Sequence, residues 1–299
     1  MYCLETSGLS HQFPGMGYAL QDINLRVPQG AIYGFLGPNG AGKTTTLRLV
    51  LGLLRKQQGS IRFFGQSFQQ QRSAILQKTG SLIESPSIYT HLTATENLEV
   101  WRKIYQSPKS RIDEVLRLTG LAHTGTRKAG RFSLGMKQRL GIAIAMLHAP
   151  SLLILDEPTN GLDPNGIIEI RELLKKLNKE QGLTILISSH LLPEIEKLAT
   201  HVGIINNGRM LFQGRLQELN SYQQRSAMTK FDTGDAQQAA ALLAAYHPVI
   251  ESGQLLLPAG SAKHTAQINR ELVQHGMDVY GIHTVQNDLE SIFMQLINP

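Results

Sequence analysis

Along the first 220 residues, short and nearly continuous apolar runs alternate with stretches whose apolar positions recur at helical spacing. That pattern predicts a mainly parallel sheet with helices on both faces. Ala31 to Leu36 and Thr184 to Ser189 read as buried strands, and Leu152 to Leu155 is an apolar strand closed by Asp156 and Glu157. Leu4 to Val27, with alternating Leu20, Ile23, Leu25 and Val27, reads as half-buried strands broken by the turn Phe13-Pro14-Gly15-Met16-Gly17. Gly59 to Gly65 is a glycine-bounded strand, and Thr79 to Glu84 is a strand ending on a carboxylate. Between these two, Gln66 to Lys78 is a polar stretch.

Helices are predicted from Thr44 to Leu54, from Thr93 to about Thr126, after Phe132 up to Pro150, and from Pro164 to about Gln181. Thr93-Ala94-Thr95-Glu96 has the spacing of a capping box. After His190 a further helix precedes a hairpin, Val202 to Asn206 and Arg209 to Phe212, across Asn207-Gly208. A polar linker is placed at Ser221-Tyr222-Gln223-Gln224-Arg225. Beyond it the order is a strand (Met228 to Asp232), a helix (Asp235 to Tyr246) and two short strands across Glu251 to Gln254. A helix (Lys263 to His275), a strand (Met277 to Thr284) and a helix (Asp288 to Ile297) complete it. This order resembles a small ferredoxin-like α+β module over residues 226–299, after a first domain of residues 1–220.

A chain of 299 residues accommodates about two domains. With 41% hydrophobic and 17% charged residues, it reads as globular rather than disordered. No apolar run approaches the ~18–20 residues that span a bilayer, and the first residues lack a signal-peptide pattern, so a cytoplasmic location is expected. The single cysteine, Cys3, excludes an internal disulfide framework and a cysteine-cluster metal site. The net charge of +6 is uneven: residues 221–299 hold four basic against seven acidic residues, leaving +9 for the rest. A basic front half suits nucleic acid, anionic lipid or nucleotide phosphates. With no dense Lys/Arg run, solvated surface charge is the simplest account, and no nucleic-acid partner is expected.

The most specific chemistry lies in Gly37-Pro38-Asn39-Gly40-Ala41-Gly42-Lys43-Thr44, followed by Thr45. Between a buried strand and a helix, it fits the pattern of a loop that holds nucleotide phosphates. Its glycines let backbone N–H groups converge on an anion, the helix N-terminus and Lys43 add positive charge, and Thr44 offers an oxygen to Mg²⁺. Asp156 and Glu157 complement it, because strand ends and phosphate loop share one edge of a parallel sheet. Asp156 is then expected in the magnesium shell and Glu157 at the terminal phosphate, where it can polarise a water.

The joint presence of Gly37 to Thr44, Ser133-Leu134-Gly135-Met136-Lys137-Gln138, Asp156-Glu157 and Asn160-Gly161-Leu162-Asp163 with His190 resembles the ATP-binding subunit of an ABC transporter over about the first 215 residues. The resemblance implies an α/β nucleotide-binding core with a helical subdomain at about residues 84–150. It also implies a head-to-tail dimer in which Ser133, Leu134, Gly135 and Met136 of one copy close the other copy's phosphate loop. Where the family usually has Leu-Ser-Gly-Gly-Gln, this chain has Phe132-Ser133-Leu134-Gly135-Met136 and keeps the serine and the last glycine. By the same resemblance His190 is the histidine that contacts the γ-phosphate, Asp163 belongs to the loop after Asn160, and Phe13 stacks on adenine with Tyr18 as competitor. At Glu84 most members have glutamine. A glutamate there resembles the bacitracin and lantibiotic self-protection exporters, and as a carboxylate it is expected to act on the metal and in coupling to the membrane.

ATP and Mg²⁺ are thus the expected cofactors. A second copy of the chain and a separately encoded membrane permease are the expected partners, with the ATPase peripheral on the inner face of the membrane. Export of a peptide antibiotic is the expected task. An importer or lipid exporter with the same cassette is the alternative, and a soluble nucleic-acid or ribosome-associated ATPase the more distant one. The stretch Ser85 to Leu92 would pass motion to the permease, and the C-terminal module would contact the dimer mate or the permease.

Overall fold

A computed structural model describes residues 1–15, 17–219, 228–251 and 253–285. The chain divides into two units, Met1–Leu216 and Gln217–Pro299. In the first unit an antiparallel sheet is built from β1 (Tyr2–Gln12), β2 (Tyr18–Ile23), β3 (Arg26–Pro28), β5 (Gln58–Phe63) and β6 (Gln66–Ser67). The second sheet has the order β11-β10-β4-β9-β8-β7. Its members are β4 (Ile32–Leu36), β7 (Thr79–Leu82), β8 (Leu152–Asp156), β9 (Thr184–Ser189), β10 (His201–Asn206) and β11 (Arg209–Arg215). From β10 to β7 the pairing is parallel, and β11 returns antiparallel on β10. Strands β4, β8 and β9 are buried throughout, which is why they read as unbroken apolar runs.

Helix α1 (Lys43–Val50) lies between the two sheets. Leu47 and Val50 share a core with Leu9, Leu20 and Phe63 of the antiparallel sheet and with Phe35, Ile154 and Leu186 of the parallel one. Each such side chain contributes about 1.5–3 kcal/mol by leaving water. Two stretches differ from their periodicity. The first helix stops at Val50 instead of Leu54, and the polar stretch before β7 contains α2 (Arg72–Leu76), whose one buried residue, Ile75, is too little to register as a period.

The predicted helical stretch after Thr93 divides into α3 (Ala94–Tyr105) and α4 (Ser110–Leu118), because Gln106 adopts a left-handed φ of 55° and Pro108 follows. These helices pack on each other and on α5 (Leu134–Met146). The capping box forms in full: Thr93 Oγ1 accepts from Glu96 N at 3.1 Å and Glu96 Oε2 accepts from Thr93 N at 2.6 Å. The Thr93 N–H is the foremost cause that holds the Glu96 carboxyl below the usual carboxylate range. Helix α5 meets β7 at close range; a Cβ on Gly80 would stand 2.2 Å from the carbonyl oxygen of Ala145, so only glycine permits this approach. Helices α6 (Pro164–Gln181) and α7 (Leu192–Glu196) complete the unit.

In the second unit β12 (Met228–Thr233), α8 (Ala236–Leu242), β13 (Val249–Glu251), β14 (Gln254–Pro258), α9 (Ala262–Gln274) and β15 (Val279–Val285) follow one another. The sheet order β13-β14-β12-β15 is antiparallel throughout. This βαββαβ sequence encloses a small core of Phe231, Leu243, Leu255, Leu257, Ile268 and Leu272. The linker at Ser221 to Arg225 and the last helix from Asp288 to Ile297 lie outside the described residues. Among the described residues, no helix is long and apolar enough to cross a membrane.

Candidate functional site

The glycine-rich turn leaves the C-terminal end of β4 and enters α1. Gly40 and Gly42 take φ of 82° and 108°, a region that favours glycine. At Gly42 a Cβ would also stand 2.5 Å from Leu20 Cδ2, so the position is barred to larger residues twice over. The turn is closed by Ala41 N donating to Pro38 O at 3.1 Å. Helix α1 carries no acid in its first turn, leaving its positive end uncompensated. Lys43 is only 5% exposed, and its Nζ donates to Gly37 O at 2.7 Å and Pro38 O at 3.2 Å. A buried ammonium is thus curled back onto the loop that precedes it.

Parallel pairing of β8 with β9 sets Asp156 opposite Ser188. Asp156 is 4% exposed, and its Oδ1 accepts from Ser188 Oγ at 2.6 Å. The next residue, Glu157, has a left-handed φ of 48°, and its N–H donates to the same Ser188 Oγ at 2.9 Å. That conformation turns the Glu157 carboxylate toward the glycine-rich turn: Oε1 lies 3.2 Å from Lys43 Nζ, and Oε2 accepts from His190 Nδ1 at 2.8 Å. His190 follows β9 directly, and Leu191 N donating to Ser189 Oγ at 3.0 Å holds its turn.

Among the residues expected from the sequence, Asn39, Gly40, Gly42, Lys43, Thr44, Thr45, Glu157 and His190 line one cleft of about 290 Å³. Gly37, Pro38 and Ala41 form the turn behind it, and Asp156 sits beneath, buried at the strand end. Others lie elsewhere. Strand β7 ends at Leu82, two residues before Glu84, because Glu84 has a φ of 64° and leaves the ladder. Its carboxylate is 61% exposed, pairs with Arg48 of α1, and does not line the cleft. Phe13 is half-buried with its ring edge-on to His11 at 4.8 Å, Tyr18 is 54% exposed, and neither lines the cleft.

Ser133 caps α5 by accepting from Met136 N at 3.2 Å, and Leu134 is 48% exposed beside it. The turn packs on the loop before α6, where Leu162 Cδ2 is 3.9 Å from a Cβ placed on Gly135 and Leu134 Cδ2 is 3.3 Å from one placed on Gly161. Asp163 caps α6, its Oδ1 accepting from Gly166 N at 3.0 Å. Ser133, Leu134, Gly135 and Met136 do not line the cleft of their own chain. Two residues outside the expected set belong to the site: Asn160 lines the cleft, and Ser188 joins Asp156 to Glu157. Ser188 carried the signal of a hydroxyl at a strand end just before His190, but its pairing with the acids needed the strand register.

Chemically, converging backbone N–H groups, a helix N-terminus and a buried lysine suit a polyphosphate. The Thr44 hydroxyl and the Asp156 carboxylate are hard oxygen donors of the kind Mg²⁺ takes. No group of three or more His, Cys, Asp or Glu side chains able to hold a metal exists among the described residues. A cation here therefore needs phosphate and water oxygens for the rest of its shell.

Residues 20–160 match the family profile described as ABC transporter. The chain is 42% identical to the bacitracin transport ATP-binding protein BcrA of Bacillus licheniformis, over 98% of this chain and 97% of that protein. It is 45% identical to the lantibiotic transport ATP-binding protein SrtF of Streptococcus pyogenes, over 65% of this chain and 83% of that one. Among solved structures, cbiO1 of Clostridium perfringens, part of the ABC transporter complex cbiONQ, superposes with a TM-score of 0.68 at 28% identity, covering 74% of this chain and 91% of that one.

Proposed function

The chain belongs to the ABC transporter ATP-binding family, and we propose that it hydrolyses ATP to drive a separately encoded membrane permease that exports a peptide antibiotic of the bacitracin or lantibiotic kind. One observation carries the catalytic part. Lys43, Glu157 and His190 meet at the mouth of the glycine-rich turn, with Glu157 held between the other two. The cargo rests on 42% identity to BcrA over 98% of this chain and on the glutamate at position 84.

With nucleotide bound, Lys43 exchanges the carbonyls of Gly37 and Pro38 and the Glu157 carboxylate for phosphate oxygens. Thr44 and Asp156, joined by Glu84 only if it were released from Arg48, would hold an Mg²⁺, which would supply positive charge against the phosphates. Glu157, released from Lys43, accepts a proton from the attacking water, and His190 keeps its Oε2 in place. Phe13 offers its ring to the adenine. Ser133, Leu134, Gly135 and Met136 of a second copy complete the cleft, with Asp163 beside them. Ser133 caps α5 and so keeps that helix N-terminus ordered toward a γ-phosphate. Ser85 to Leu92 contacts the permease on the inner face of the membrane, and residues 226–299 add a second contact to the dimer or the permease.

The test is co-expression with the cognate permease in a bacterium sensitive to bacitracin and to a lantibiotic. Tolerance to one of the two should rise, and Lys43→Ala should abolish the gain. Unchanged tolerance, with permease present in the membrane and ATP turnover intact, would refute the cargo. Mixed dimers of Lys43→Ala and Ser133→Arg subunits address the shared sites: one composite site then keeps both wild-type faces, so mixing the two impaired proteins should restore turnover, and no recovery on mixing would refute the sharing.

A further inference from the structure

We infer that Ser188 is a positioning residue for ATP hydrolysis, setting the orientation of both carboxylates from the neighbouring strand. The inference rests on the proposed roles of Asp156 and Glu157. Ser188 is buried, with no exposed surface, at the C-terminal end of β9. Its hydroxyl has one proton and two lone pairs. The Glu157 N–H can only donate, so Ser188 Oγ accepts there at 2.9 Å. The single hydroxyl proton is then committed to Asp156 Oδ1 at 2.6 Å, since an ionised carboxylate only accepts. With Asp156 as a carboxylate, this assignment of donors satisfies both contacts.

Two consequences follow for chemistry. Tying Oδ1 to a hydroxyl fixes the Asp156 carboxylate about its own axis, which leaves Oδ2 as the oxygen to meet a cation. At Glu157, a left-handed φ of 48° is a strained conformation for a residue with a Cβ. It persists because the peptide is held on both sides: Ser188 Oγ accepts from the N–H, and the C=O accepts from Asn160 N at 3.0 Å. The same conformation directs the side chain to Lys43 and His190. One hydroxyl therefore links the expected metal ligand to the expected general base, and its loss disturbs both.

The experiment compares Ser188→Ala, Ser188→Cys and Ser188→Thr in the full chain. Read-outs are the Mg²⁺ dependence of ATP turnover, the affinity for a fluorescent ATP analogue with Mg²⁺ and with EDTA, and the melting temperature without nucleotide. Ser188→Ala and Ser188→Cys should need about 10–100-fold more Mg²⁺, with lower kcat and unchanged analogue binding in EDTA. Ser188→Thr, which keeps the hydroxyl, should restore most of the Mg²⁺ response. If Ser188→Ala does not fold, Ser188→Cys, nearly equal in size, gives the same reading. A lowered melting temperature with an unchanged Mg²⁺ response in the alanine or cysteine variant would overturn the inference. Glu157→Gln separates it from its premise. Undiminished hydrolysis in Glu157→Gln sinks the reading of the site itself, whereas an inactive Glu157→Gln beside an unaffected Ser188→Ala and Ser188→Cys sinks only the role of Ser188.

Discussion

Replacing Glu157 by glutamine should move binding and turnover in opposite directions. In the cleft Glu157 Oε1 lies 3.2 Å from Lys43 Nζ, both side chains are largely buried, and the carboxylate competes with phosphate for the same ammonium. At an effective dielectric constant near 20 the Coulomb attraction at that distance is about 5 kcal/mol before desolvation is subtracted. Hydrogen bonds to charged groups retain about 1.5–3 kcal/mol net. The Lys43 ammonium keeps its bonds to Gly37 O and Pro38 O in the variant, so only the competing carboxylate is removed. Even the lower figure corresponds to about tenfold tighter ATP binding, with like-charge repulsion from the phosphates relieved as well. Hydrolysis should fall by about 10²–10⁴-fold, because an amide cannot take the proton from water. Equilibrium binding of a fluorescent ATP analogue and phosphate release under single-turnover conditions measure the two effects separately. Weaker ATP binding in Glu157→Gln would refute the competition for Lys43, and undiminished phosphate release would refute the general-base role.

Four further outcomes concern the frame around the site. Thr93→Ala removes the cap of α3 and should destabilise the first unit by about 0.5–2 kcal/mol in a denaturant titration, leaving the KM for ATP unchanged. Since the folded Glu96 carboxyl is held below 4.5, its share of the capping box is present above that pH and is lost as pH falls through the folded value; melting curves across that range should show it, and Glu96→Gln should remove the dependence. His148 is pushed below its ordinary value of 6.5 chiefly by burial, its ring packed 4.4 Å from Tyr105. The unfolded chain binds that proton more readily, so stability should decline as pH drops below about 6.5, and a His148→Phe variant with the wild-type slope would contradict this. Gly80→Ala drives a methyl to 2.2 Å from Ala145 O and should lower stability by about 1–3 kcal/mol or more; an unchanged melting temperature would show that β7 and α5 can separate freely.

Much of the architecture is legible in the order of residues because local physics dominates it. Helix α6 and strand β9 begin and end where their patterns do, with Pro164 and the Asp163 cap at one helix end and left-handed Gly182 at the other. The glycine-rich turn is legible for a similar reason, since Gly40 and Gly42 occupy backbone conformations that other residues resist. Where local signals are weak, tertiary packing decides. Helix α2 forms around a single buried isoleucine, and the long helical stretch after Thr93 divides at Gln106. Glu84 is the clearest difference at the site: a strand pattern carries it to the sheet edge, but its left-handed backbone and the Arg48 guanidinium take it away from the cleft.

By itself the order of residues determined the chemistry on offer: a phosphate-shaped turn, a lysine beside it, two acids at a strand end, a serine-capped helix and a histidine after a buried strand. Each is a local property, set by side-chain type and by the few residues next to it. Only the tertiary structure decided which of these groups touch. The register of β8 against β9 puts Ser188 opposite Asp156, the left-handed turn at Glu157 brings its carboxylate between Lys43 and His190, and Ser133, capping α5, lies outside its own chain's cleft. Contacts between residues far apart in the chain depend on how buried strands align and how closely a helix can approach a sheet, and those distances exist only once the core has formed.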